Sequence, residues 1–230
     1  MAPEGTEPAI REAVRAGAEM IELDVRMTRD GRLVIFHDAR LERTTDGRGV
    51  LARQTYRRLM RLDAGSWFHP RFASARILSV SQALARVPRR LGVILETKLP
   101  HPPPAYLRRL ERILARSQPR ERIMVSSFYG RVLAGLRAGG VERALICDRR
   151  VEASLRDATR LGCHGWHLHA RLVTPAWVRR AHEAGMNLYV WTVDDERQAR
   201  RLARWGVDGL FTNDPATLRL RLREQSCANE

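Results

Sequence analysis

The stretch IELDVRMTRDGRLVIFHD, Ile21–Asp38, decides how the rest of the chain is read. Two runs rich in aliphatic residues flank Asp30-Gly31, a dipeptide that favours a tight hairpin turn. A two-residue turn there pairs the runs so that Asp24 lies directly opposite His37, with Cβ atoms about 5 Å apart. Glu22, two residues before Asp24, points to the same face of its strand. The hairpin therefore gathers two carboxylates and an imidazole. Like charges that close are costly unless a cation sits between them. Carboxylate oxygens suit a hard ion, Mg²⁺ or Ca²⁺.

The next β-type run reads GVILETKLP, from Gly92 to Pro100. Alternation puts Glu96 and Lys98 on one face, so a third carboxylate and a cation share a strand end. In an α/β barrel that end is where chemistry is placed. Lys98 is also the sole lysine of the chain, and an ammonium can meet a phosphate oxygen as a point charge. The other reading of Glu96 and Lys98 is a mutual surface ion pair; their apolar neighbours favour function.

Outward from these runs, short β-rich segments alternate with amphipathic helices. The strand candidates are Met20–Val25, Val93–Glu96, Ile123–Ser127, Ala144–Cys147, Trp166–His169, Leu188–Val193 and Gly209–Thr212. Helical spacing appears at Leu107, Leu110 and Leu114, and at Val132, Leu133 and Leu136. Thr174-Pro175 and Asp214-Pro215 each set a capping side chain before a proline at the first helical position. The alternation predicts a parallel sheet covered by helices, an α/β fold of the TIM-type (β/α) barrel kind. A helix over Glu7–Ala16, closed by Gly17, precedes the first strand. An eight-unit barrel begins with a strand, so the visible strands read as the second to the eighth and the first is expected to be missing. One domain over 1–230 is predicted, with residues 41–78 as a rim insertion whose Trp67 and Phe68 supply apolar surface.

The chain has 230 residues, 44% hydrophobic and 29% charged, with a formal net charge of +15. No run approaches the roughly 18 apolar residues of a membrane span, and the N-terminus lacks the pattern of a secretory signal. Cys147, Cys163 and Cys227 are too scattered for a disulfide framework or zinc cluster and read as reduced thiols. A cytoplasmic protein is expected. All basic residues but Lys98 are arginines, several in adjacent pairs such as Arg57-Arg58 and Arg108-Arg109. Attraction to polyanions is one reading. Dispersal over several helices favours the other, a coding bias toward arginine, because a nucleic-acid footprint should cluster among aromatics. No nucleic-acid partner and no stable membrane insertion are expected.

IELDVRMTRDGRLVIFHD, RTTDGRG, LDAGSWF, ILETK, SSF, VWTVDD and GVDGLFTNDP, in that order, resemble the glycerophosphodiester phosphodiesterase family over essentially the whole chain. Phosphoinositide-specific phospholipases C share the barrel and the acidic metal site, but the HD, TT-G and WTV pattern points to the glycerophosphodiester group. The resemblance implies that Glu22, Asp24 and Glu96 bind a divalent metal, that His37 is one of two catalytic histidines, and that Lys98 contacts the substrate phosphate. It implies a small glycerophosphodiester as substrate, with glycerol 3-phosphate and an alcohol as products.

His169 and Trp191 lie at strand ends and are candidates for lining the substrate pocket; a structural histidine and a packing tryptophan are the competing readings. His167 shares the first of these alternatives. His69, His101, His164 and His182 fall outside the motifs and read as surface residues. Family members also carry a strand ending in His-Arg-Gly before an APENT-like segment. Ala2-Pro3-Glu4-Gly5-Thr6 matches the second motif and nothing precedes it. Met1 is therefore expected to be a misassigned or alternative start, and the chain as given to be impaired. The rival functions are a catalytically inactive metabolite-binding or scaffold relative and a phospholipase acting on lipid or lysolipid.

Overall fold

The computed structural model of the protein describes residues 1–117 and 122–224; Cys227 lies outside them. The elements follow as α1 (Glu7–Arg15), β1 (Met20–Met27), β2 (Leu33–Ile35), α2 (Tyr56–Leu59), α3 (Val80–Arg86), β3 (Gly92–Thr97), α4 (Pro104–Arg116), β4 (Ile123–Ser127), α5 (Gly130–Gly135), β5 (Glu142–Cys147), α6 (Val151–Arg160), β6 (Gly165–His169), α7 (Pro175–Glu183), β7 (Asn187–Trp191), α8 (Glu196–Arg204), β8 (Gly209–Leu210) and α9 (Pro215–Glu224). All seven expected strands are present, and β2 is the returning arm of the hairpin. The prolines do as the caps predict. Thr174 accepts from the Trp177 amide at 3.4 Å and Asp214 from the Thr217 amide at 3.2 Å. Among the described residues no helix is long and apolar enough to cross a membrane.

The chain divides into two compact units. The first holds Met1–Val125 and Gly135–Val141, the second Ser126–Ala134 and everything from Glu142. In the first, β1 pairs with β3 in parallel, bringing Asp24 beside Glu96 and Glu22 beside Ile94. Alternate residues of β1 (Ile21, Leu23, Val25) are buried, which turns Glu22, Asp24 and Arg26 to the opposite face. From residues 41–78, Leu41, Leu51, Leu59, Ala64 and Ile77 pack in one cluster with Val34 of β2 and the following Phe36. Trp67 and Phe68 stay exposed.

The hairpin register differs from the expected one. Val25 pairs with Ile35, Arg26 with Val34 and Met27 with Leu33, and the Phe36 amide, not that of His37, reaches the Asp24 carbonyl at 2.9 Å. Asp24 therefore does not lie opposite His37. The cause is a longer loop. The Thr28 amide donates to the Arg32 carbonyl and the Gly31 amide to the Thr28 carbonyl. That closes a three-residue turn whose last member, Gly31, has φ +76°. Such loops, a type I turn followed by a left-handed glycine, are the next commonest hairpin connection. Thr28 reinforces it by donating to Asp30 at 2.5 Å. One extra loop residue shifts every downstream side chain to the other face.

In the second unit β5, β6, β7 and β8 pair in parallel, in that order. Trp166 on β6 is fully buried and donates to Ser154 of α6 at 3.0 Å, so Trp166 and Leu168 face the helices. His167 and His169 take the other face. Cys147 and Cys163 are buried free thiols.

Candidate active site

Parallel pairing of β1 with β3 aligns three carboxylates in the first unit. Glu22, Asp24 and Glu96 each offer one oxygen, and these oxygens lie within 4.8 Å of one another. Lys98 extends the same face of β3 just past its end. Its ammonium contacts Asp24 Oδ1 at 2.9 Å and Glu96 Oε1 at 2.5 Å, with its side chain only 14% exposed. The rival reading of Glu96 and Lys98 as a mutual surface pair does not hold: Lys98 joins a three-way cluster with Asp24 and Glu96, and all three side chains are largely buried.

The electrostatics follow from burial. Desolvation pushes the Glu22 carboxyl well up, and the neighbouring Asp24 and Glu96 charges push the same way. Glu96 is raised chiefly by burial, with the Lys98 ammonium opposing it. Burial alone would depress the Lys98 ammonium, but Asp24 and Glu96 outweigh it and the net effect is upward. Glu22 Oε1 is buried with no hydrogen-bond partner. A buried carboxylate oxygen without a donor, converging with two others, is the donor set that a hard divalent cation satisfies. These residues fit such an ion.

His37 reaches the neighbourhood by a different route from the one its register predicted. β2 ends at Ile35, and the chain then turns, leaving the His37 side chain about half exposed. Arg26 Nε donates to the His37 carbonyl at 2.8 Å. The imidazole Nδ1 lies 2.6 Å from Asp38 Oδ1. Arg43 donates to Asp38 Oδ2 at 2.5 Å and, through its other two nitrogens, to Glu4 at 2.8 and 2.6 Å. The Arg43 guanidinium, outweighing partial burial, holds the Asp38 carboxyl down to about 2. A charge on His37 is felt at Glu96. Glu4 and Arg43 were not singled out in the sequence, although Arg43 opens the RTTDGRG motif and Glu4 sits in the APENT-like one.

His169 and Trp191, the other predicted substrate contacts, belong to the second unit. Their rings meet edge to face at 4.8 Å, and Phe128 meets Trp191 edge to face at 5.6 Å. Trp191 donates to the His167 carbonyl at 3.2 Å, and His169 Nδ1 accepts from the Arg171 amide at 3.2 Å. Both rings are partly exposed. His167 is different: 1% exposed, ringed by Tyr189 and Phe211 at 5.3 and 5.0 Å, with Nε2 unpartnered. Burial pushes it down to about 3, so it is a neutral core histidine. His69, His101, His164 and His182 are exposed.

A model of the glycerophosphoryl diester phosphodiesterase family matches residues 1–217. A glycerophosphodiester phosphodiesterase of Caldanaerobacter subterraneus subsp. tengcongensis is 30% identical over 227 residues, spanning 94% of this chain and 90% of that one. One from Bacillus subtilis is 28% identical over 93% and 80% of the two chains. Among solved structures, an Oleispira antarctica phosphodiesterase in complex with the product sn-glycerol-3-phosphate superposes with TM-score 0.89 at 28% identity, covering 96% of this chain and 92% of that one. A glycerophosphodiester phosphodiesterase of Agrobacterium tumefaciens gives TM-score 0.81 at 28% identity, covering 95% and 94%. The fold class is shared with these structures and is the TIM-type (β/α) barrel that the strand–helix alternation predicts.

Proposed function

This chain belongs to the glycerophosphodiester phosphodiesterase family of phosphoric diester hydrolases, and from that premise we propose a metal-dependent cleavage of small glycerophosphodiesters, yielding glycerol 3-phosphate and an alcohol, with His37 as a proton-transfer group. The observation that carries the reading is the convergence of Glu22, Asp24 and Glu96 around an unpartnered buried oxygen. Those three residues would hold Mg²⁺ or Ca²⁺. When bound, such an ion supplies Lewis-acid stabilisation of phosphoryl oxygens and a lowered pKa for an attacking hydroxyl.

The chain's own side chains do the rest. Lys98 meets a non-bridging phosphate oxygen, exchanging one of its two carboxylate contacts for it. His37 moves a proton between solvent and the reacting oxygens, a role for which its half-exposed imidazole is open to water. Asp38, braced by Arg43 and Glu4, fixes the ring through Nδ1 and leaves Nε2 to face the substrate. His169 and Trp191 are candidate ligand contacts of the second unit, which their partly exposed edge-to-face pair supports.

Release of glycerol 3-phosphate from glycerophosphocholine is the test, run with Mg²⁺, with Ca²⁺ and with chelator. Turnover that chelator abolishes and one cation restores is expected, and Glu96→Gln should weaken that cation's affinity about 10- to 100-fold by calorimetric titration. Chelator-insensitive turnover would overturn the metal, and unchanged affinity in Glu96→Gln would remove Glu96 from the site. Turnover confined to lipid vesicles would reassign the substrate.

A further inference from the structure

Away from the acidic cluster, the first unit contains a cavity of about 700 Å³ beside the hairpin turn, between α3 and α4. Six arginines line it: Arg32 after the turn, Arg89 after α3, Arg109, Arg112 and Arg116 on α4, and Arg122 before β4. No carboxylate among the described residues lines it. Among the described residues none of the six forms an ion pair, whereas Arg11, Arg40, Arg43, Arg86 and Arg180 each pair with a carboxylate.

The six guanidiniums make few contacts with oxygen acceptors among the described residues. Arg112 Nε donates to the Arg108 carbonyl at 3.2 Å and one Arg122 nitrogen to the Arg89 carbonyl at 2.5 Å, while Arg32 lies over the Tyr56 ring. Each guanidinium carries five N–H donors. The carboxyl end of α4 favours a cation at Arg116, but it does not account for arginines drawn from three other segments. Like charges converging on one cavity repel unless an anion neutralises them. The volume falls in the range of small-molecule sites, and the floor is apolar, with Leu33, Leu91 and Val93 all buried.

We propose that this cavity is a second binding site, for a phosphate-bearing ligand of more than one negative charge. Guanidinium forks match phosphate oxygens in pairs, and the apolar floor takes a carbon portion attached to the phosphate. The ligand is a soluble phosphate compound or the exposed headgroup of an anionic lipid; the chemistry is shared. The site is opposite in sign to the acidic cluster and is independent of the proposed reaction.

Calorimetric titration of the full chain with pyrophosphate, in chelator, tests the proposal, alongside sedimentation with phosphatidylcholine vesicles with and without phosphatidic acid. Arg109→Gln/Arg112→Gln/Arg116→Gln should weaken the anion affinity at least about tenfold. Arg32→Gln/Arg89→Gln, which leaves α4 untouched, should also weaken it. The charge-matched control Arg53→Gln/Arg57→Gln/Arg58→Gln and the acidic-site variant Glu96→Gln should retain it. Binding of pyrophosphate alone identifies a soluble ligand, and binding of phosphatidic acid vesicles alone identifies a headgroup. Equal loss in the control, no binding of either probe, or tighter binding of duplex DNA that the cavity variants do not affect would overturn the site.

Discussion

His37 and His167 show two opposite uses of imidazole. His37 is half exposed in the first unit and anchored through a chain of ions, Asp38 to Arg43 to Glu4. His167, in the second, is packed among Tyr189 and Phe211 with no polar partner at Nε2. The first is open to water and has a carboxylate at Nδ1. The second can be charged only by carrying that charge into an apolar enclosure. Residue type alone does not mark a proton-transfer group; access to water and a partner that fixes the ring do.

The largest way to break this contrast is kinetic. His37→Ala should lower the turnover of glycerophosphocholine about 10² to 10⁴-fold, while His167→Phe should leave it within a few-fold. A loss under tenfold for His37→Ala, or a large loss for His167→Phe, reverses the assignment. Next comes the anchor. Asp38→Asn keeps the shape but removes the charge that holds ring and guanidinium together, and kcat should fall about 10- to 100-fold with KM little changed. An unchanged kcat would show that His37 needs no brace.

The third effect is thermodynamic. His167 stays neutral in the native state down to about 3, whereas in the unfolded chain it binds a proton below about 6.5. Its contribution to stability is therefore complete above that value and is lost as the pH falls toward the native one, by at most about 1.4 kcal/mol per pH unit. Denaturant titrations at stepped pH should show His167→Phe with a shallower loss between about pH 6 and 4; parallel curves would place the titration elsewhere. The smallest effect concerns the turn that carries His37 to its place. Gly31→Ala forces a side chain into the left-handed region and against the flexible end of Arg109, which should cost about 1 kcal/mol. A neutral substitution would mean that the loop relaxes easily.

The metal-type cluster was legible in the sequence because it needs only alternation along two neighbouring strands. Glu22, Asp24, Glu96 and Lys98 keep their relations however the hairpin closes. The position of His37 directly opposite Asp24 was misread because it depends on the turn. Asp30-Gly31 suggests a two-residue loop, and only the hydrogen bonds of Thr28 reveal the third residue. Glu4 and Arg43, 39 positions apart, could not be paired without the fold. The arginines looked dispersed for the same reason: α4 gives three on one side, and the hairpin turn, the end of α3 and the start of β4 bring the others to it.

Lys98 gives the protein a built-in reporter. It is the only lysine in 230 residues, and it sits between Asp24 and Glu96. Isotope labelling of lysine alone therefore yields one side-chain ammonium resonance, and that resonance comes from the acidic cluster. Amine-directed reagents meet a single ε-amine in the whole chain, shielded by its two carboxylates and held protonated by them, so its modification rate reads the integrity of that cluster directly.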